Sequence, residues 1–154
     1  MTYTSTKTFA HYPTAHRQHR HKGNCALVHG YDRAYRLVFG SHTLDACGFC
    51  VDFGDLHWLR DWLNFMFDHT LLLMPDDPLL PQFQEIEKAG GATIRLMPLG
   101  VGMEGSAECV CEYADNELRK RTKGRCWVIS VEARENEKNS AIYTNPNAGF
   151  QGWL

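Results

Sequence analysis

The spacing of apolar residues along the chain changes between the two-residue period of strands and the longer period of helices. Residues 7–11 alternate weakly, and residues 34–39 (AYRLVF) are rich in strand-forming types before a Gly-Ser pair. These segments predict two strands that flank a histidine-rich loop. Residues 47–53 (CGFCVDF) are short and apolar, which predicts a third strand.

Helical spacing follows in two long segments. Leucine and methionine recur at helical intervals in residues 56–67, with tryptophan and phenylalanine beside them, and Asp52 or Asp55 is suited to cap the start. Residues 106–121 predict the second long helix, with Ser106 as its N-cap and cationic residues in its last turn.

Between these helices the pattern is weaker. Residues 82–89 predict a short helix closed by a Gly-Gly pair, and residues 92–97 predict a strand.

The last part of the chain predicts a hairpin. Residues 126–132 (CWVISVE) have strand character, and residues 141–144 are the expected partner across a polar turn. Residues 145–154 are polar and glycine-bearing, so no fixed structure is predicted for them. The order of elements is β-β-α-α-β-β. A chain of 154 residues is expected to form one domain, with its core at about 7–144.

Charge is unevenly distributed along the chain. No carboxylate precedes Asp32, whereas the first 31 residues hold four lysine or arginine residues and five histidines. This end suits an anionic ligand or a bound cation. The net charge of −2 argues against a protein that binds nucleic acid over its whole surface.

Cysteine usage and hydropathy indicate a soluble cytoplasmic protein. The apolar runs are far too short to span a bilayer, and no export signal is recognised at the start. The six cysteines are therefore expected to be reduced. Cys47 and Cys50 form a CxxC, but Cys109 and Cys111 would lie about 200° apart on a helix. Core or strand positions are therefore favoured over a structural zinc site for these four.

The histidine-rich loop is a candidate metal site. His16 and His29 stand at its two ends, where paired strands would bring them together, and catalytic zinc usually takes three protein ligands. The alternative is a solvated basic loop. Cys25 lies in the same loop and is either a buried core thiol or, beside cations, a thiolate that acts as nucleophile or base.

Two further groups have candidate chemistry. Asp68 and His69 follow the tryptophan-rich helix and predict a proton relay, in which the carboxylate orients the imidazole. A helix-terminal histidine that only interacts with the dipole is the alternative. Glu132 lies on a predicted strand; it is either a solvated side chain or a carboxylate that pairs with the N–H groups of a pterin or guanine ring.

These features occur in an order that resembles a known family. They are His16 in TAHR, Cys25 followed by His29-Gly30, Val51-Asp52-Phe53 before a helix, Asp68-His69, Ser106-Ala107-Glu108, and Glu132 on a late strand. Together they resemble the 6-pyruvoyltetrahydropterin synthase family, and within it the bacterial 6-carboxytetrahydropterin synthases of the queuosine and 7-deazaguanine pathway. The resemblance implies an α+β tunnelling fold (T-fold), an antiparallel sheet with two helices on one face. In that family the active site lies between subunits, so a homo-oligomeric barrel, commonly a hexamer, is implied.

The resemblance also implies an activity and its residues. The expected reaction is the zinc-dependent conversion of 7,8-dihydroneopterin triphosphate to 6-carboxy-5,6,7,8-tetrahydropterin, with release of triphosphate and acetaldehyde. The implied catalytic groups are Cys25, Asp68 and His69. The implied zinc positions are His16, His29 and Tyr31. Glu132 is implied as the anchor of the pterin ring and Ser106 as a hydroxyl contact to it; our own addition is Arg17 as a contact to the triphosphate.

The family pattern is not complete in this chain. Tyr31 stands where the family has a third histidine, and a phenol with a pKa of about 10 binds a divalent ion only if the metal lowers that pKa. His19, His21 or Asp32 are alternative ligands. Two other functions stay open: a pterin- or deazapurine-binding protein without tight zinc, and a related lyase such as the pyruvoyl-forming type.

Overall fold

Two long antiparallel strands form the centre of the sheet. The computed structural model describes residues 2–149, and in it β1 (Tyr3–His16) pairs with β2 (His29–Ser41). The first residue of β1 lies opposite the last residue of β2, and His16 lies opposite His29. The prediction of two strands that flank a histidine-rich loop is confirmed, and both strands are longer than the pattern indicated.

Shorter strands extend the sheet on both sides. They are β3 (Thr70–Leu73), β4 (Ile94–Leu96), β5 (Cys126–Arg134) and β6 (Ser140–Thr144), in the spatial order β4-β3-β1-β2-β5-β6. The predicted hairpin near the end of the chain is confirmed as β5 and β6, which are antiparallel. In contrast, β3 runs parallel to β1, and β4 parallel to β3. The sheet is therefore mixed rather than wholly antiparallel. A helical crossover through α2 returns the chain in the same direction between β3 and β4, whereas β2 precedes α1 between β1 and β3.

Within residues 2–149, three helices accompany the sheet. They are α1 (His57–Phe67), α2 (Leu80–Lys88) and α3 (Met103–Thr122). The apolar spacing predicted α1 well. A single 3-10 turn precedes it, and the side chain of Asp52 caps that turn by accepting a hydrogen bond from the Gly54 N–H at 2.8 Å.

The core lies between the sheet and its two longer helices. Leu59 and Leu63 of α1 and Val110 of α3 are fully buried in one apolar cluster with Tyr35 and Leu37 of β2. The cluster includes further residues of β1 and β5. Because α1 and α3 share this cluster, both cover the same face of the sheet.

Two local expectations are wrong and one strand was not predicted, each for a local reason. Residues 47–53 form turns rather than a strand, because the Asp45 side chain accepts hydrogen bonds from the N–H groups of residues 47 and 49. Ser106 lies inside α3, which begins three residues earlier with Gly102 at its N-cap. The sequence pattern missed β3, because all four of its residues are buried and show no alternation.

The start of the tail has a defined place, although no strand or helix covers it. Asn145 is buried, and its side-chain amide donates to the Val128 carbonyl at 2.8 Å. The rest of the predicted unstructured tail, residues 150–154, lies outside the described residues. Within residues 2–149, no helix combines the length and apolar character needed to cross a membrane.

A glycine brings the start of α3 against the preceding loop. A Cβ at Gly105 would lie 2.4 Å from the carbonyl oxygen of Gly100, which is far inside van der Waals contact with backbone. Val101, in the same loop, is fully buried. Since a backbone neighbour cannot rotate away as a side chain does, this approach requires glycine.

We expect Gly105→Ala to lower the free energy of unfolding by about 1–3 kcal/mol, because the loop and helix must separate. Urea denaturation followed by circular dichroism measures this change. Gly102→Ala is the matched control at the same helix start, since its Cβ would meet only the flexible Glu104 side chain at 3.2 Å. Equal losses in the two variants would contradict the role given to the close approach.

Candidate functional site

The two strand ends bring three rings together around one cavity. The rings of His16 and His29 lie with centroids 4.3 Å apart, and the Tyr31 ring lies 5.7 Å from that of His29. The cavity has a volume of about 240 Å³. It is lined by His16, Cys25, His29, Tyr31, the start of α3, Glu135 and the β5–β6 turn.

Cys25 is placed at the surface of this cavity. It lies in a single 3-10 turn (Asn24–Ala26), and its carbonyl accepts a hydrogen bond from the Gln18 N–H at 2.8 Å. Its thiol is free and exposed, so it is not a core cysteine. The structure thus brings Cys25 together with His16 and His29.

Asp68 and His69 form the predicted hydrogen-bonded pair. Their Oδ1 and Nδ1 atoms are 2.6 Å apart, and both side chains are exposed. The backbone of His69 is left-handed, with φ 54°, and its N–H donates to the Pro13 carbonyl at 2.9 Å. Because a carboxylate only accepts, Nδ1 of neutral His69 has the proton and Nε2 presents a lone pair.

His69 of this pair borders a second cavity, which shares Tyr31 with the first. This cavity, of about 620 Å³, is lined by His69, Tyr31, Asp32 and residues of β1 and β3. Tyr31 is in the lining of both cavities.

Three predicted substrate contacts have other partners within this chain. Glu132 is in the lining of neither cavity, and its carboxylate forms an ion pair with Arg134 at 3.1 Å. Arg17 Nε lies 2.8 Å from a carboxylate oxygen of the buried Asp77. Ser106 is fully buried. Their predicted roles toward substrate therefore stay predictions.

Sequence reasoning missed Arg33, which is fully buried beside the first cavity. Its guanidinium donates to Ser106 Oγ at 2.6 Å, to His16 Nδ1 at 2.9 Å and to the Val101 carbonyl at 2.9 Å. A signal existed in the sequence, since Arg33 is in phase with the buried Tyr35 and alternate strand residues share one face.

The contact with Arg33 determines which nitrogen of His16 has the proton. A guanidinium has no acceptor, so Nδ1 of His16 must be the acceptor and Nε2 of the neutral ring must be protonated. Burial, with the charge of Arg33 and the neighbouring His29 as smaller causes, lowers the pKa of His16 to about 3. His16 therefore stays neutral at physiological pH.

The other two implied zinc positions differ from each other. Nδ1 of His29 lies 2.8 Å from the Leu27 carbonyl, which makes Nδ1 a donor and leaves a lone pair on Nε2. The Tyr31 hydroxyl interacts with the carboxylate of Glu135, and this interaction is the main cause that raises the pKa of Tyr31. A phenol with a raised pKa keeps its proton.

The three alternative ligands also have other partners. His19 lies near the carboxylates of Asp76 and Asp77, at 3.7 and 3.9 Å. Nδ1 of His21 accepts from the Gly23 N–H, and Asp32 lies 3.0 Å from His11. In the described part of the chain, no three side chains of histidine, cysteine or acid type are grouped to hold a metal ion. The residues at this cavity therefore do not fit the three-ligand zinc centre that the resemblance implies.

Comparison with known proteins identifies the family. The model of the family described as 6-pyruvoyl tetrahydropterin synthase matches residues 5–146. A 6-carboxy-5,6,7,8-tetrahydropterin synthase of Rickettsia felis is 26% identical over 138 residues, which cover 88% of this chain and 90% of the relative. The enzyme of the same name from Rickettsia typhi is 30% identical over 108 residues, or 70% and 74% of the two chains.

Solved structures show the same fold. An uncharacterised protein of Wolinella succinogenes superposes with a TM-score of 0.78 at 21% identity, over 94% of this chain and 99% of that one. The 6-pyruvoyl tetrahydropterin synthase of Caenorhabditis elegans gives a TM-score of 0.64 at 16% identity, over 94% and 96%. The mixed sheet with its helices is thus the tunnelling fold, and the chain belongs to the 6-pyruvoyl tetrahydropterin synthase family of lyase-type enzymes.

Proposed function

We propose that this protein is a pterin lyase of the 6-carboxytetrahydropterin synthase type. Its substrate is 7,8-dihydroneopterin triphosphate, and with water it yields 6-carboxy-5,6,7,8-tetrahydropterin, acetaldehyde and triphosphate. The product serves the 7-deazaguanine branch that leads to queuosine. The names of the Rickettsia relatives support this reaction over the pyruvoyl-forming one.

The observation that carries the proposal is the adjacency of a thiol and a relay. Cys25 lines one cavity and His69 the next, with Tyr31 in the lining of both. A substrate bound at Tyr31 would have the exposed thiol in one adjoining cavity and the imidazole lone pair in the other. Two separate proton-transfer groups are what an elimination followed by a cleavage requires.

The residues of this chain supply the proton transfers. A base removes a proton from the side-chain carbon next to the one that bears triphosphate; the electron pair forms the double bond, and triphosphate leaves with the electrons of its C–O bond. Nε2 of His69 is suited to accept and return a proton, since Asp68 holds the other ring nitrogen. Cys25 is the second group, acting as a thiolate.

The hydroxyl-bearing carbon next to the ring then gives up two hydrogens to the ring, which becomes the tetrahydro form as this carbon becomes a carbonyl. Water adds to that carbonyl and its bond to the next carbon breaks. The electron pair of this bond goes to the outer two carbons, which take a proton and leave as acetaldehyde, while the inner carbon stays on the ring as the carboxylate.

The position of Glu132 supports an active site completed between subunits. Glu132 lies outside both cavities of one chain, yet it matches the ring-anchoring position implied by the family resemblance. We therefore propose a homo-oligomer in which Glu132 of one subunit reaches the cavities of another. The implied zinc is left out of this mechanism, because the donors around His16 do not fit it.

A protein that binds the pterin without turnover is the second candidate. Tyr31 favours this second function. It stands at the third ligand position of the family, and its interaction with Glu135 raises its pKa, so the phenol keeps its proton. An assay of purified protein with 7,8-dihydroneopterin triphosphate separates the two functions. Acetaldehyde and 6-carboxytetrahydropterin in equal amounts support the lyase, whereas binding without either product supports the second candidate.

For the thiol, we expect Cys25→Ala to lose at least about 100-fold in turnover while pterin binding changes little, because the variant removes a proton-transfer group and no ring contact. Steady-state acetaldehyde release and fluorescence titration with the pterin measure the two properties. Cys47→Ala is the control, since Cys47 is also free and exposed but lies outside the cavity. Full turnover by Cys25→Ala would remove the thiol from the mechanism.

For the relay, Asp68→Asn should lower turnover by about 100-fold or more, because an amide can donate and no longer holds the proton of His69 on Nδ1. The pH profile of turnover is the measurement. Asp61→Asn, on an exposed position of α1, is the control and should behave as wild type. An unchanged pH profile in Asp68→Asn would contradict the relay.

For the ring anchor, Glu132→Gln should weaken pterin affinity by about 10- to 100-fold, the usual effect of losing a hydrogen bond to a charged group. Equilibrium binding of the pterin by the intact oligomer measures this. Glu137→Gln, in the exposed turn between β5 and β6, is the control. Equal affinities for wild type and Glu132→Gln would show that the ring is bound elsewhere.

A further inference from the structure

We propose that this site is built to work without a divalent cation, with the buried guanidinium of Arg33 as its fixed positive charge and His16 as the donor that presents that charge to the ligand. Arg33 is a positioning residue that acts through His16. The inference rests on the proposed function only for the identity of the ligand, a pterin with an oxygen-rich side chain.

No counter-charge lies near the buried guanidinium of Arg33 in the described part of the chain. The side chain is fully buried, and the groups that it meets are neutral: the Ser106 hydroxyl, an imidazole nitrogen and a carbonyl, with the hydroxyl of Tyr35 also close to the guanidinium. Its Nε has no hydrogen-bond partner, and no carboxylate is within ion-pair distance, among residues 2–149. A buried charge without a counter-charge is costly. A negatively charged or strongly polarised oxygen in the adjoining cavity offsets that cost.

His16 transmits the charge to the cavity. Its Nδ1 accepts from Arg33, so the proton of the neutral ring is on Nε2, and His16 is part of the cavity lining. Hydrogen bonds in a chain polarise one another, so the Nε2–H is a stronger donor than that of a free imidazole. This donor suits a developing oxyanion, such as the side-chain carbonyl or alkoxide oxygen of the pterin.

The same arrangement opposes zinc. A metal-bound histidine needs a ring lone pair toward the metal and normally donates its other N–H to an acceptor. Arg33 offers no acceptor and so enforces the opposite tautomer on His16. It also adds a positive charge that repels a divalent ion. His29, whose Nδ1 faces the Leu27 carbonyl, is the one ring of the three with the ligand tautomer.

The first experiment measures zinc affinity in a set of intact variants by competition with a chromogenic chelator. Tyr31→His restores a third imidazole, and Arg33→Gln removes the charge and supplies an oxygen that accepts from His16 Nδ1–H. We expect the double variant to bind zinc about 10- to 100-fold more tightly than Tyr31→His alone. The matched control, Tyr31→His with Arg33→Lys, keeps a cation without an acceptor and should bind no more tightly than Tyr31→His.

Two results would overturn the proposal. The first is near-stoichiometric, tight zinc in the wild type or in Tyr31→His alone. The second is equal zinc affinity of Tyr31→His with and without Arg33→Gln, when circular dichroism shows both folded. Either would mean that Arg33 does not exclude the metal.

The second experiment needs no variant at the buried arginine. Nitrogen-15 NMR of histidine-labelled wild type reports which ring nitrogen of each histidine is protonated, and the His16 signals are assigned by their loss in His16→Gln. We expect His16 protonated on Nε2 and unchanged when zinc is added. A proton on Nδ1, or a zinc-induced change at Nε2, would contradict the inference. These readouts do not depend on turnover, so a failed lyase assay with these results intact refutes only the proposed reaction.

Discussion

The hydrogen bonds of one buried guanidinium hold the parts of this site together. Arg33 belongs to β2, and it donates to His16 at the end of β1, to Ser106 inside α3 and to the carbonyl of Val101 in the loop before α3. These partners come from three different parts of the fold. The orientation of His16, the position of the start of α3 and the shape of the cavity therefore depend on a single charged side chain.

This dependence gives Ser106 and Gly105 structural roles that need no contact with a ligand. Ser106 is an acceptor for Arg33, so its hydroxyl is already used within the protein. Gly105 allows the helix to approach the loop so closely that the carbonyl of Val101 and the hydroxyl of Ser106 both reach the guanidinium. The close approach of the α3 backbone to the preceding loop thus determines which groups surround the buried charge of Arg33.

This chain has the fold of its family, but the charged and polar groups around His16 differ from the zinc ligands that the resemblance implies. The sheet and the helices match the 6-pyruvoyl tetrahydropterin synthase family, whereas the thiol, relay and ring-anchor roles are those that we propose for this chain. Around His16, however, a guanidinium and a phenol stand beside the two histidines. Both a metal ion and a polarised N–H stabilise negative charge on a substrate oxygen. We infer that the same task is performed on this scaffold by a hydrogen-bond donor.

The sequence by itself determined the parts that depend on local spacing. Helical periodicity predicted α1, and the two strands around the histidine-rich loop were sufficient to place His16 near His29, because hairpin strands meet at the loop. The adjacency of Asp68 and His69 in the chain likewise predicted their hydrogen bond. Local spacing was misleading at residues 47–53, where the Asp45 side chain accepts hydrogen bonds from two backbone N–H groups.

Only the tertiary structure decided what depends on contacts between distant residues. Arg33 and Ser106 are 73 positions apart, and Arg33 and Val101 are 68 apart, so no local pattern links them. The tautomer of His16 follows from its contact with Arg33, 17 positions away on the neighbouring strand, and with it the choice between a metal ligand and a hydrogen-bond donor. Residue types determine which chemistry is available, whereas a protonation pattern depends on which donor faces which acceptor, and folding alone sets that.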